Sequence, residues 1–432
     1  MDGFSSHDAP LARADDDQEA GRGFRVPEPA ARPGQAPDFS SVDVGEAGDL
    51  SLPPIDAPHT AFQDHARGLL RVLDDDSNAR GAWARFCQPD DLLRGYRAMI
   101  RTRAFDERMV RAQRQGKTSF YVQCLGEEAI AVGAAVATEN TDMHFPTYRQ
   151  QGILFARDIN PIRMINQIYS NEHDELGGHQ LPVLYSFKDA GFFTISGNLA
   201  TQWPQAVGWA MGSALRNDQH VAVGWIGDGA TAEGDWHQGN LFASVYRAPV
   251  LLCVVNNQWA ISTPNSFAGA DKATFAERMA TYGLPALRVD GNDYLAVLAA
   301  CRFAVERARE GYGATGIEFV TFRQGAHSTS DDPGKYRPKD MSALWPLGDP
   351  VARLRQHLLC TDLLTAEQMD TIAAEAEEEM RQAEQQAASH GILSEGRGAS
   401  SDKMFYQVYN DMPNWLKEQQ QEAALTEDRF DR

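Results

Sequence analysis

The sequence predicts an α/β fold in which a parallel β-sheet is flanked by helices. Between about residues 125 and 325, short apolar runs such as 221–226 and 250–255 alternate with stretches of helical periodicity. Continuous apolar runs are typical of strands buried on both faces, and their alternation with helices indicates a parallel sheet. Hydrophobic residues make up 43% of the 432-residue chain and charged residues 23%, which is the composition of a globular protein.

The N-terminal part of the chain predicts no core of its own. Residues 1 to about 60 are rich in Pro, Gly, Ala and Asp and lack apolar periodicity. They are expected to form either a disordered leader or an extended arm on a neighbouring subunit. Helical patterning begins with Asp90 and Asp91, after which apolar residues recur at spacings of three and four. We therefore assign residues 1–85 to an N-terminal extension or arm.

The C-terminal part predicts helices. Thr365 and Gln368 stand at the spacing of a capping box, a long run of Ala, Glu and Gln follows, and Gly391 marks its expected end. The charged residues 375–381 are expected to form a solvated helix face. These patterns divide the rest of the chain into an α/β domain over residues 86–345 and a helical C-terminal region over residues 346–432.

Composition argues against several classes of function. The chain has 40 basic and 60 acidic residues, and the resulting formal charge of -20 repels phosphate backbones and anionic membranes. It contains no run of about 18 apolar residues that would span a membrane. Because the N-terminus also lacks a signal core or transit-peptide character, we expect a soluble, cytoplasmic protein without nucleic-acid or membrane partners. The five cysteines are odd in number and widely spaced, which favours neither a disulfide framework nor a zinc site.

Two strand ends carry the candidate chemistry. The first apolar run leads into residues 227–234, GDGATAEG, and the second into residues 256–259, NNQW. A helix between them completes a strand–helix–strand unit of about 30 residues, which brings Asp228 and Asn257 to one edge of the sheet. Ligands bind beyond the carboxyl ends of parallel strands, and carboxylate and amide oxygens suit Mg²⁺. The pattern therefore predicts a magnesium–diphosphate site, aided by main-chain N–H groups at the helix start.

A dinucleotide site is the competing interpretation. Gly227, Gly229 and Ala232 also satisfy the relaxed GxGxxA fingerprint at a strand-to-helix turn. That fingerprint is weak by itself, and a nicotinamide site needs an acidic residue to hold the ribose where this chain has two asparagines. A lone GDG is usually a simple turn. The full order of strand, GDG, helix, strand and NN, however, resembles the thiamine-diphosphate motif.

Further motifs make the chain resemble the alpha subunits of the thiamine-diphosphate-dependent 2-oxo acid dehydrogenases. The likeness extends from about Arg94 to about Glu422. It rests on FY at 120–121 with GEEA at 126–129, FPTYR at 145–149, ISGNLATQ at 195–202 and GAHSTSDD at 325–332. The last of these, together with RVDGND at 288–293, is more similar to the branched-chain group than to the pyruvate group. The resemblance implies the thiamine-diphosphate-binding fold.

The resemblance also implies which residues bind the cofactor. Mg²⁺ would be held by Asp228, Asn257 and the main-chain carbonyl of Trp259. The positions that match the family's thiamine-diphosphate contacts are Tyr148, Arg149, Gly197, Leu199, Gly227, Asp228, Gly229, Ala230, Asn257, Ala260 and His327. Among them, Arg149 can grip phosphate oxygens with two parallel N–H groups, and Leu199 would support the bent shape of the cofactor.

Two further roles follow from the same resemblance. His327 would be the catalytic residue that donates to diphosphate and substrate, and the near-neutral pKa of an ordinary histidine suits proton transfer. The positions that match a potassium site are Ser196, Thr201 and Gln202. The chain departs from the family pattern at Ala326, where branched-chain relatives often have a second His, and at Val255, where some have Arg.

The implied reaction is the oxidative decarboxylation of branched-chain 2-oxo acids such as 2-oxoisovalerate. Thiamine diphosphate supplies the electron sink that this reaction needs. The acyl group would pass to a lipoyl group on an acyltransferase partner, and a glutamate that activates the cofactor would come from a beta chain, so we expect an α₂β₂ heterotetramer. The alternatives are a pyruvate or acetoin dehydrogenase of the same family, a nicotinamide-dependent oxidoreductase and a non-catalytic scaffold.

Overall fold

A five-stranded parallel sheet lies at the centre of the part of the chain that this computed structural model describes, residues 24, 26–40, 42–395, 403–406 and 409–430. The strands of this sheet and of one small antiparallel hairpin are β1 Met143–Phe145, β2 Ala222–Gly227, β3 Val250–Asn256, β4 Trp259–Ala260, β5 Thr263–Pro264, β6 Ala286–Asp290 and β7 Thr315–Val320. The order across the main sheet is β1-β2-β3-β7-β6, and each neighbouring pair is parallel. The predicted parallel sheet is confirmed.

Helices cover both faces of the sheet. The α-helices are α1 Gln63–Arg67, α2 Pro89–Arg114, α3 Glu128–Ala137, α4 Gly152–Ala156, α5 Pro161–Tyr169, α6 Gln202–Arg216, α7 Gly234–Val245, α8 Phe275–Ala280, α9 Tyr294–Arg309, α10 Pro350–Cys360, α11 Ala366–Ser389, α12 Lys403–Tyr406 and α13 Asn414–Phe430. Along β3, Leu251, Cys253 and Val255 join the apolar cluster that contains α3 and α9. The residues between them join a second cluster with α6 and α8. Because both faces are buried, β3 is apolar along almost its whole length.

The N-terminal segment of the described residues packs against the rest of the same chain. Residues 26–40 and 42–58 contain no helix or strand, yet the ring of Phe39 meets that of Trp345 edge-on at 5.2 Å. Further on, the Asp293 carboxylate accepts the N–H groups of residues 72 and 73 at 2.8 and 2.6 Å. Part of the predicted arm therefore lies against its own domain, and RVDGND serves to hold it there. The same expectation for residues 1–23 falls outside the described residues.

The C-terminal helices pack on the same core. In the predicted capping box, Thr365 Oγ1 accepts from the N–H of Gln368 at 3.2 Å, and α11 ends two residues before Gly391. Helix α11 packs against α2 and α5, and Arg101 on α2 forms an ion pair with Glu379 at 2.7 Å. The helices predicted for this region are confirmed where the structure describes it. The division of the chain at residues 85 and 345 stays a prediction.

Two other features bear on the exclusions drawn from composition. Of the helices in the described ranges, none is both long enough and apolar enough to cross a bilayer. All five cysteines have free thiols, and those buried in the core are Cys124, Cys253 and Cys301.

Candidate active site

The ends of β2 and β3 lie side by side, as the sequence predicts. Gly227 pairs in register with Val255, so Asp228 and Asn257 both follow the ends of adjacent parallel strands. The connection differs from the prediction in one respect. A short 3-10 turn, Gly229–Ala232, separates Asp228 from α7, so the strand does not lead directly into a long helix. A turn of this length offers fewer aligned N–H groups to an anion than a helix start does.

A cavity of about 340 Å³ opens beyond these strand ends. The predicted cofactor and metal positions that line it are Tyr148, Arg149, Leu199, Gly227, Asp228, Gly229, Ala230, Asn257, Trp259, Ala260 and His327. From the potassium set, Ser196 and Gln202 line the same cavity. Gly197 and Thr201 do not reach its wall, although each is next to a residue that does. The structure therefore brings nearly all of the implied ligands to one place.

Asp228 provides a buried carboxylate with one unused oxygen. Oδ1 accepts from the N–H of Gly229 at 2.8 Å, whereas Oδ2 has no hydrogen-bond partner among the described residues. Burial raises the pKa of Asp228 to about 7, against the lowering effect of the Gly229 N–H group and of the Arg323 charge. A buried oxygen without a partner costs free energy unless a ligand fills the gap. This oxygen therefore fits a metal ion.

The two asparagines after β3 have different roles. Asn256 turns into the fold, where its Nδ2 donates to Glu318 Oε1 at 2.8 Å. Asn257 faces the cavity, and its Oδ1 accepts from the N–H of Trp259 at 3.2 Å. The Trp259 carbonyl in turn accepts from Arg323 Nη1 at 3.0 Å. Amide and carbonyl oxygens each have a second lone pair, so both remain able to bind a cation.

Glycine is required at position 229 because the main chain there lies very close to Ala260. A Cβ at this position would lie 2.5 Å from the Cβ of Ala260, whereas a Cβ on Gly227 would meet no atom within 4 Å. Gly229 thus lets the turn after β2 touch the β4–β5 hairpin, which carries the Trp259 carbonyl. At Gly227, which lines the cavity, the absence of a side chain instead leaves room for a ligand.

Arg149 is a buried cation and not a surface charge. Its side chain is 4% exposed, and Nη1 donates to the Gln123 carbonyl at 2.5 Å. Nη2 donates to the main-chain carbonyl of His327 at 2.6 Å. The ring of Tyr148 meets that of His327 edge-on at 5.7 Å. The structure thus groups the three residues that the resemblance assigns to the diphosphate or the reacting centre.

The surroundings of His327 differ from those of an ordinary, solvated histidine. Burial, reinforced by the charges of Arg149 and Arg323, lowers the pKa of His327 to about 3. Both guanidinium groups lie near Nδ1, at 3.0 and 3.4 Å. Because a guanidinium can only donate, Nδ1 accepts and the ring proton belongs on Nε2. In this environment a neutral His327 can donate a hydrogen bond through Nε2, and its catalytic role stays a prediction.

The segment before α6 forms another wall of the cavity. Leu199 is 55% exposed, so it is not a core residue. Thr201 Oγ1 donates to the Asn198 carbonyl at 3.0 Å, and Gln202 Nε2 donates to the Trp225 carbonyl at 2.9 Å. Gln202 Oε1 is buried without a hydrogen-bond partner in the described chain. An amide oxygen in that state fits a cation, which is the chemistry of the expected potassium site.

Glu127 and Arg323 belong to the site although the sequence analysis gave them no role. Glu127 lines the cavity, is 2% exposed, and lies with Oε1 2.8 Å from Asn257 Nδ2 and 3.9 Å from Arg149 Nε. Arg323 follows β7 and binds the Trp259 carbonyl. Signals existed for both. Glu127 lies in the GEEA motif. Arg323 closely follows β7, and a strand next to β3 is expected to bring the residues after it to the same edge of the sheet.

Gly126 fixes the position of Glu127, and this gives a stability prediction. Its φ is 95°, and an added Cβ would collide with the main-chain carbonyl oxygen of Phe322. Gly126→Ala is therefore expected to lower the free energy of unfolding by about 2–4 kcal/mol, from backbone strain and overpacking together. Chemical denaturation of the purified chain measures this change.

Gly116→Ala is the matched control, because Gly116 has a φ of 76° but no atom within 4 Å of an added Cβ. This variant should lower the free energy of unfolding by about 1–2 kcal/mol, which is the effect of backbone strain alone. Equal losses for the two variants would mean that the contact with Phe322 contributes nothing.

Comparison with known proteins places the chain in a family. A family model described as "Dehydrogenase E1 component" matches residues 96–395, and one described as "2-oxoisovalerate dehydrogenase E1 alpha subunit N terminal" matches residues 23–59. A 2-oxoisovalerate dehydrogenase subunit alpha from Pseudomonas aeruginosa is 54% identical over 402 residues, which cover 93% of this chain and 98% of the relative.

More distant relatives agree. A 3-methyl-2-oxobutanoate dehydrogenase subunit alpha from Mycobacterium tuberculosis is 37% identical over 79% of this chain and 89% of its own length. The mitochondrial 2-oxoisovalerate dehydrogenase subunit alpha of Mus musculus is 37% identical over 78% of this chain and 74% of its own. The family resemblance and the thiamine-diphosphate-binding fold inferred from the motifs are confirmed. The chain belongs to the dehydrogenase E1 component family, among the alpha subunits of the branched-chain 2-oxo acid dehydrogenases.

Proposed function

We propose that this chain, together with a beta chain, catalyses the oxidative decarboxylation of branched-chain 2-oxo acids such as 2-oxoisovalerate, with transfer of the acyl group to a lipoyl-bearing acyltransferase. The observation that carries the proposal is the cavity beyond β2 and β3, where the unpartnered Oδ2 of Asp228 and the oxygens of Asn257 and Trp259 lie in one wall with Arg149. Hard oxygen ligands beside a buried guanidinium match a metal ion bound to a diphosphate. The names of the relatives support the substrate class.

In this proposal Asp228, Asn257 and the carbonyl of Trp259 hold Mg²⁺. The free Oδ2 of Asp228 can bind the ion without losing a hydrogen bond. Within the described ranges, no group of three His, Cys, Asp or Glu side chains is placed to hold a metal. The proposed site therefore depends on amide and main-chain oxygens, which suit magnesium and not zinc. Ser196, Thr201 and Gln202 are proposed to hold K⁺, with Gln202 Oε1 as the free ligand.

Arg149 and His327 are proposed to bind the diphosphate. The fork of Arg149 is held in place by the carbonyls of Gln123 and His327, so little side-chain entropy is lost on binding. Val255 lines the cavity where some relatives have an arginine, which leaves one cation fewer at this wall. Arg323, which lies 3.4 Å from His327 Nδ1, adds a second positive charge nearby.

Thiamine diphosphate, when bound, supplies the electron sink for decarboxylation. The chain's own residues orient that cofactor through the metal and Arg149, and the Nε2–H of His327 is available to donate a hydrogen bond to a developing negative charge. The buried side chains of Val255 and Ala230 form part of the wall and help to exclude water, whereas the exposed Leu199 is left for a beta chain to cover.

To test this proposal, the chain is purified together with its beta chain. The rate at which an artificial electron acceptor is reduced is then measured with 2-oxoisovalerate, 2-oxoisocaproate and pyruvate as substrates. We expect kcat/KM for the branched substrates to exceed that for pyruvate by about 10-fold or more, which is what one or two extra methyl groups in an apolar pocket contribute. Pyruvate as the preferred substrate would contradict the proposal and favour a pyruvate or acetoin dehydrogenase. Omitting magnesium and thiamine diphosphate should remove all activity.

A further inference from the structure

We propose that Glu127 is a positioning residue of the metal site, whose carboxylate fixes the side-chain amide of Asn257 so that Oδ1 faces the metal. The inference rests on the proposed function, because it requires an ion at Asp228 and Asn257. Glu127 would not itself touch the ion. It acts through Asn257, and it lies close enough to Arg149 to help align the diphosphate-binding side chain as well.

The contact is direct and buried. Glu127 Oε1 accepts from Asn257 Nδ2 at 2.8 Å, and both residues are less than one-tenth exposed. A hydrogen bond to a carboxylate is roughly twice as strong as one between neutral groups, and it is stronger still away from water. The two residues are 130 positions apart in sequence. The bond therefore links the start of α3 to the end of β3 across the cavity wall.

The orientation of the amide decides whether Asn257 can be a ligand. The two ends of an asparagine amide are almost equal in size, and only the oxygen binds a hard cation. A carboxylate can only accept, so it selects Nδ2 and leaves Oδ1 on the other side. The Trp259 N–H, which donates to Oδ1 at 3.2 Å, selects the same orientation. Two independent partners thus exclude the flipped amide.

The main chain next to Glu127 is held by hydrogen bonds. The carbonyl of Gly126 accepts from Thr321 Oγ1 at 2.9 Å and from Asn292 Nδ2 at 3.3 Å. The Gly126 N–H donates to Glu128 Oε2 at 2.9 Å. Hydrogen bonds at both the N–H and the carbonyl of Gly126, and the lack of room for a Cβ there, fix the main chain from which the Glu127 side chain extends. Such rigid support is what residues behind a metal ligand require.

A purely structural role fits Glu128 better than Glu127. The Glu128 carboxylate satisfies the Gly126 N–H and pairs with Arg103 at 2.8 Å. Glu127 occupies the N-cap position of α3, yet its side chain makes no capping hydrogen bond there. Its carboxylate is turned away from the helix and toward Asn257. Adjacent glutamates are therefore divided between holding the fold and orienting the site.

Glu127→Gln in the complex with the beta chain is the central test. A carboxamide can accept from Asn257 Nδ2, but it can equally donate to Oδ1 of the flipped amide, so the single orientation is lost. The Kd for Mn²⁺ at saturating thiamine diphosphate, followed by the EPR signal of the free ion, is expected to rise about tenfold, the lower end for residues that support metal ligands. Glu139→Gln, at an exposed position two residues beyond the end of α3, removes the same charge and should leave this Kd unchanged.

A double-mutant cycle with Asn257→Asp separates orientation from charge. A carboxylate at 257 presents oxygen on both sides, so it needs no orienting partner. In that background Glu127→Gln should leave the Kd unchanged or lower it, because the carboxamide can donate to the new carboxylate, which Glu127 would repel. An effect of Glu127→Gln that is equal in both backgrounds would show a simple loss of charge and overturn the inference.

The outcomes distinguish this inference from the function on which it rests. If the wild-type complex shows no metal-dependent binding of thiamine diphosphate, the proposed function fails and the inference with it. If the wild type binds and Glu127→Gln binds equally well, only the inference fails. Melting of the metal-free complexes checks folding, and a tenfold rise in Kd without a change in melting temperature supports the positioning role.

Discussion

Asp228→Asn is expected to weaken the binding of Mg²⁺, at saturating thiamine diphosphate, by more than about 100-fold. Residues that merely support a ligand contribute about 10–100-fold to metal affinity, and Asp228 is the only proposed ligand with a negative charge. Its Oδ2 is buried without a hydrogen-bond partner in the described structure, so the substitution removes an oxygen that is free to bind the ion. Calorimetric titration of the complex with the beta chain measures the loss, and 2-oxo acid turnover should fall to background.

The same substitution is expected to stabilise the metal-free protein. Burial raises the pKa of Asp228 to about 7, whereas an unfolded aspartate titrates near 3.9. The folded state thus holds a proton that the unfolded state releases, so stability is lost as pH rises from about 4 through 7. With a chelator present, Asp228→Asn should melt above the wild type at about pH 8, and the difference should shrink toward about pH 5.

Asp235→Asn is the matched control, because Asp235 is a partly exposed aspartate in the first turn of α7 and does not line the cavity. It should leave both metal affinity and this pH dependence unchanged. A melting difference of opposite sign for Asp228→Asn would mean that the carboxylate is satisfied in the metal-free fold. The argument for a metal at Oδ2 would then lose its basis.

Local sequence was sufficient to place Asp228 and Asn257. Each follows an apolar strand directly, and the connection through α7 has the length that puts such strands side by side. Strand adjacency in a parallel unit follows from short-range rules, so local patterns alone bring the two side chains together. The capping box of α11 was predictable for the same reason, since its partners are three residues apart.

Long-range partners could not be predicted in this way. Glu127 reaches Asn257 across 130 residues, and Arg323 reaches Trp259 across 64. The lowered pKa of His327 comes from burial and from two arginines that meet it only in the folded chain. The apolar sequence pattern was also a poor guide to which side chains of α7 are buried. Apolar Leu241, Phe242 and Val245 indicated α7 correctly, yet all three side chains are about half exposed or more. Their exposure leaves an apolar helix face of the kind that subunit contacts cover.

The chain purified without a beta chain is expected to show no decarboxylation above background. The acidic side chains that line its cavity, in the part of the chain that the structure describes, are Glu127 and Asp228. Both lie at the metal end, where one orients Asn257 and the other binds the ion in our proposals. In the family that the chain resembles, activation of the cofactor needs a further carboxylate on its aminopyrimidine ring. We therefore expect that group to come from a partner.

The shape of the cavity leads to the same expectation. Leu199 and Ile261 lie in its wall, and each remains 55% exposed. An open apolar wall cannot exclude water from a reacting centre, and dry surroundings are what make charge stabilisation effective there. Assays of the chain alone, of the beta chain alone and of the mixture should show turnover only in the mixture. Asp228→Asn mixed with the beta chain should stay inactive. Turnover by the chain alone would refute a shared site, because it would mean that these residues complete the active centre by themselves.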